Sequence, residues 1–120
     1  MTSFCGHRIT LTSPTEILEH FHRRHEAIVE SIREIVEIES PSYDVERSRA
    51  VVLWVENEAR KIGLDLEIEK IAADGYGEHL IIRVFPGEAR PVLLLGHTDT
   101  VHPVGTKLAN PTRIEGDKFY

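Results

Sequence analysis

His97 and Asp99, in Gly96-His97-Thr98-Asp99-Thr100-Val101, are the residues whose types and spacing point most directly to chemistry. An imidazole is a good zinc ligand, and a carboxylate two positions away can hold its second ring nitrogen or approach the metal itself. The pair follows directly on Val92-Leu93-Leu94-Leu95, an apolar run that predicts a central strand covered on both faces. In open α/β sheets, ligands bind in the crevice beyond the carboxyl ends of such strands. A His-x-Asp triplet arises by chance in roughly one chain in ten of this size. By itself it therefore also fits a polar turn, with Asp99 capping backbone amides and His97 facing water.

The elements that must position this pair can be read from period and punctuation. Ser13-Pro14-Thr15-Glu16 is a helix opening: a capping serine, proline at the first helical position and a carboxylate able to reach back. Ile17, Phe21, Ile28, Ile32, Ile35 and Val36 continue it with one apolar stripe, which weakens over residues 20–25 and predicts a break there. Pro41 ends this helix. A second helix is expected over residues 45–62, capped by Ser42 or Asp44 and closed by Lys61 and Gly63. The period then drops to two. Leu64, Leu66 and Ile68 alternate with acidic residues, residues 72–78 form a turn, and residues 79–85 form the next strand. Residues 112–115 and 118–120 flank a Gly116-Asp117 turn as a short hairpin. The connections are too short for parallel crossovers, so the sheet should contain antiparallel neighbours. The expected fold is α/β, a mixed sheet with two N-terminal helices packed on it.

Composition narrows the classes. The chain has 120 residues and a formal charge of −6, which argues against a surface that tracks nucleic-acid phosphates. One cysteine excludes an internal disulfide framework and fits a reducing compartment. No apolar run reaches membrane-spanning length, and the start lacks the apolar core of a secretory leader. A cytoplasmic location is the expectation. Residues 1–12 are expected to be a flexible tail, with Cys5 and His7 in it and no structured base to activate the thiol. His20, His22 and His25 read as solvated helix residues rather than a metal cluster. His102 could line the same crevice as His97, although an ordinary loop histidine before Pro103 explains it as well. Tyr76 fits turn chemistry between two glycines, and Trp54 fits packing.

The segments Leu93-Leu94-Leu95-Gly96-His97-Thr98-Asp99-Thr100-Val101, Gly105-Thr106 and Arg113-Ile114-Glu115-Gly116-Asp117-Lys118-Phe119-Tyr120 together resemble one known family. It is the zinc-dependent exopeptidase and deacylase family of glutamate carboxypeptidase, acetylornithine deacetylase, succinyl-diaminopimelate desuccinylase and aminoacylase. The glutamate carboxypeptidase-like branch fits best, over roughly residues 26–120. The resemblance implies that His97 is a zinc ligand and that Asp99 is the carboxylate orienting it. It also implies two zinc ions, an activated water, a glutamate general base, and a peptide or N-acyl amino acid as substrate. It leaves room for a homodimer of the full-length protein.

The bridging aspartate, the general base and the other ligands of that family have no counterpart up to Tyr120. Residues 13–120 are therefore expected to be the N-terminal portion of a catalytic domain, inactive alone, because a zinc site needs three or four protein ligands. The competing expectation is a non-catalytic α/β module that works through protein contacts without metal.

Overall fold

Ser13 and Glu16 cap each other. The Ser13 hydroxyl accepts from Glu16 N at 3.3 Å, and the Glu16 carboxylate accepts from Ser13 N at 2.9 Å. This opens α1 (Pro14–Arg23) in a computed structural model that describes residues 13–87 and 90–120. Arg24 leaves helical geometry at φ −103°, ψ 5°, and α2 (His25–Glu37) follows. The expected break thus divides the first helix in two. Neither half buries a residue: Ile17, Phe21 and Ile32 remain exposed along the stripe. A groove of about 270 Å³ runs between α2 and Trp54, whose indole donates to Glu34 at 3.1 Å. The expected tail, with Cys5 and His7, lies outside the described residues.

α3 (Val45–Lys61) is capped by Asp44, whose carboxylate accepts from Arg47 N at 3.0 Å. This helix lies against β2 and buries the apolar side chains of Val51 and Val52 there. Beside them Glu56 is buried but matched, with Arg60 Nη2 at 2.8 Å and Lys70 Nζ at 2.9 Å. Pairing at both oxygens is what lets a carboxylate sit this deep.

β1 (Leu66–Ala73) and β2 (Gly77–Val84) form an antiparallel hairpin with Leu66 opposite Val84 and Ala73 opposite Gly77. Gly77 has φ +93°, and a Cβ there would lie 2.5 Å from Ser48 Oγ. Glycine is required twice over, by dihedral and by the close approach of α3. After the hairpin come a single turn, α4 (Thr106–Ala109), and a small antiparallel pair, β3 (Ile114–Glu115) and β4 (Lys118–Phe119).

The mixed α/β character expected from the sequence holds, but its sheet does not. Among the described residues two separate two-stranded antiparallel sheets take its place, and the parallel element is one bridge, Pro41 to Thr100. Residues 92–95, expected as the central strand, belong to neither sheet, and their side chains are 83–91% exposed. The run has strand-like residues, but a strand exists only through pairing, and no neighbour among the described residues supplies it. No helix of the described residues is long and apolar enough to cross a membrane.

Candidate functional site

The chain from Glu39 to Ser42 links α2 to α3, and it is this linker that locates His97 and Asp99. Ser40, buried, donates through its hydroxyl to Thr98 O at 2.6 Å and accepts from Thr100 N through its carbonyl at 2.8 Å. Pro41 is fully buried, and Ser42 N donates to Thr100 O at 3.3 Å. The Ser42 hydroxyl then donates to Asp99 Oδ2 at 2.6 Å. The two segments run side by side as a short parallel clasp.

Asp99 uses its other oxygen on His97: Oδ1 is 3.2 Å from Nδ1, and the Asp99 carbonyl is 3.1 Å from the same nitrogen. Both neighbours are acceptors, so Nδ1 carries the proton in this arrangement. Nε2 of the neutral ring is then a lone-pair donor, and it has no hydrogen bond among the described residues. The Ser42 hydroxyl, with smaller help from His97, holds the Asp99 carboxyl below its ordinary range. This order of side chains is not a serine-hydrolase triad. There the hydroxyl faces the imidazole, whereas here it is spent on the carboxylate.

His97 and Asp99 lie on the wall of an open cleft of about 880 Å³, with Leu95 and Gly96 on the same side. The opposite wall is Val52 from α3 with Leu80 and Ile81 from β2. His97 itself is 83% exposed at the side chain. His102 does not line this cleft; His20 is half-buried on α1, and His22 and His25 sit exposed on α1 and α2. Tyr76 does line it, in a turn where Tyr76 N donates to Ala73 O at 2.9 Å and its carbonyl accepts from Ser48.

The loop beyond Asp99 is held by a second set of ties from the same linker. Glu39 has φ +48°, an uncommon backbone state for a residue with a Cβ. Its carboxylate accepts from Gly105 N at 3.0 Å and from Lys107 N at 3.1 Å. Those amide bonds hold its carboxyl below the usual range. Glu37 adds Lys107 Nζ at 2.7 Å and the Thr112 hydroxyl at 3.1 Å, and these two lower its carboxyl likewise. The sequence pointed to His97 and Asp99 but missed Ser40, Ser42 and Glu39 as their supports. Ser-Pro-Ser between two helices is the available signal, and by pattern alone it marks only where one helix stops and the next is capped.

The chain is similar to carboxypeptidase G2 of Pseudomonas sp. (strain RS-16), with 29% identity over 94 residues. The match covers 78% of this chain and 23% of that protein, so the chain spans less than a quarter of the relative's length. No family model matches.

Zinc, implied by the family resemblance, requires three or four protein ligands. Among the described residues no group of three or more His, Cys, Asp or Glu converges. His97 offers one nitrogen, and Asp99 is committed to His97 and Ser42. The described residues by themselves do not make a zinc site.

Proposed function

We propose that this chain is the N-terminal portion of a metal-dependent amide hydrolase catalytic domain of the cytoplasm. Its substrate class is a peptide with a free C-terminal residue or an N-acyl amino acid. In this reading His97 is the imidazole that the segment contributes to a zinc centre, and Asp99 is the residue that orients it. The other ligands and the general base belong to parts of the parent protein outside this chain.

The observation that carries the reading is the Asp99-to-Nδ1 contact, which assigns the ring proton to one nitrogen and the lone pair to the other. Metal-binding histidines are characteristically held in this way. The similarity to a carboxypeptidase supports the same class.

The test pairs metal content with turnover. Purified 120-residue chain, dialysed against zinc, should retain none stoichiometrically and should not release amino acids from peptides or N-acyl amino acids. The parent polypeptide should retain zinc and release amino acids, and His97→Ala in it should lower kcat/KM by more than ~100-fold. Tight stoichiometric zinc on the short chain would contradict the division of ligands. An inactive, metal-free parent would favour a non-catalytic module.

A further inference from the structure

The geometry points to Ser42 as a positioning residue, whose hydroxyl fixes the Asp99 carboxylate so that its second oxygen holds the proton on His97 Nδ1. The inference deepens the proposed function, because it concerns the histidine which that reading makes a donor.

An aspartate carboxylate turns readily about its terminal bond. Without Ser42 its orientation would rest on the 3.2 Å contact to His97 and on its own backbone amide, both from the same short loop. The bond from Ser42 at 2.6 Å is the shorter of the two and comes from a more rigid base. Ser42 follows a fully buried proline, and its amide is tied to Thr100 O. The preceding Ser40 is bonded to Thr98 and Thr100 at 2.6 and 2.8 Å. The carboxylate can only accept, so the hydroxyl must be the donor, and it is not needed elsewhere. Capping of α3 falls to Asp44, and the nearby Ser48 hydroxyl is used on Tyr76 O. No lysine or arginine among the described residues forms an ion pair with Asp99 that could replace it.

The experiment reads the tautomer of His97 directly. The 120-residue chain is labelled with ¹⁵N-histidine, and long-range ¹H–¹⁵N correlations of the neutral ring are recorded, with His97 assigned through His97→Gln. The wild-type ring should be mainly Nδ1–H. Ser42→Ala should shift the ratio of the two tautomers by about tenfold toward Nε2–H, as expected for loss of a charge-assisted hydrogen bond. Ser42→Thr, which restores the hydroxyl, should recover the wild-type ratio.

Ser40→Ala removes an equally buried tie that does not touch Asp99, so it should leave the ratio unchanged. If it shifts the ratio as Ser42→Ala does, Ser42 is merely structural and the inference fails. A folded Ser42→Ala chain with the wild-type ratio also overturns it, as does a wild-type ring that is mainly Nε2–H. If Ser42→Ala does not fold, Ser42→Cys keeps the shape with a weaker donor, and an unchanged ratio there is equally fatal. The readout needs neither metal nor turnover. An inactive parent protein would defeat the proposed function and leave this result standing.

Discussion

The α3–hairpin unit and the segment from residue 90 to Tyr120 are held by different physics. In the first, Val51 and Val52 are buried between α3 and the sheet, and Gly77 lets the two approach to contact. In the second, Val92, Leu94 and Leu95 are 86–91% exposed, and the segment is fixed by directional bonds to Glu37, Glu39, Ser40 and Ser42. Apolar packing is non-directional and survives changes of charge. Hydrogen bonds from a linker place a loop without needing a core, but each is lost with one group. The candidate site straddles the two regimes: one wall of its cleft is packed, and the wall with His97 is tied.

The largest effects should therefore come from the packed side. Gly77→Ala places a Cβ 2.5 Å from Ser48 Oγ at a φ of +93°, combining overpacking with left-handed strain. A loss of about 3 kcal/mol is expected, measured by urea unfolding followed by circular dichroism. Val51→Ala removes two methyl groups from a fully buried position. Its loss should be about 2 kcal/mol, from transfer plus a small cavity. If either variant unfolds at the wild-type midpoint, the helix–hairpin contact is not the core of this chain.

Both sides hold paired carboxylates, but on the tied side these bonds are the means of placement, whereas the packed side keeps its apolar burial when they are lost. The carboxyls of Glu37 and Glu39 lie below the ordinary range because they accept from Lys107, Thr112 and Gly105. A depressed folded value means the ties are fully in place above the unfolded carboxylate value of about 4.3. They are lost as pH falls through the folded value. On the packed side Glu56 is lowered by Lys70 and Arg60, so that pair too is lost as pH falls, and Lys70, raised by Glu56, releases it again only toward strong base, but Val51 and Val52 stay buried throughout. Amide-exchange protection at Gly105 and Lys107 should thus fall on acidification before that of the β1–β2 ladder. Equal loss at both places would mean that the two regions open as one unit.

The sequence made one of these regions far more legible than the other. α3 could be placed because Asp44, Lys61 and Gly63 are local signals, and the hairpin because Leu66 and Ile68 alternate with acidic residues on one strand. His97 and Asp99 are two residues apart, so their contact was open to inspection as well. Ser42 and Asp99 are separated by 57 positions, and a hydroxyl that bonds once leaves no period to detect. Residues 92–95 mislead for the opposite reason. Their composition reports accurately what a strand would need, but the need for neighbours is not the presence of neighbours.

That unmet need sets the prediction with the smallest effect on stability. Val92, Leu93, Leu94 and Leu95 form a contiguous exposed apolar run, longer than the scattered singles that soluble monomers tolerate. Its backbone, unpaired among the described residues, can accept another strand. Wild-type chain should therefore self-associate, with light scattering rising as concentration rises. Replacing Leu94, 90% exposed, by Asp removes no packed contact, so unfolding free energy should change by no more than about 0.5 kcal/mol. The scattering, however, should drop toward that of a monomer. A wild-type chain that stays monomeric at high concentration would show that this run is covered from within the chain. The contrast between a packed and a tied region would then collapse. If instead Leu94→Asp destabilises as much as Val51→Ala, residues 92–95 belong to the core, and the ties to Ser40 and Ser42 are reinforcement rather than the means of placement.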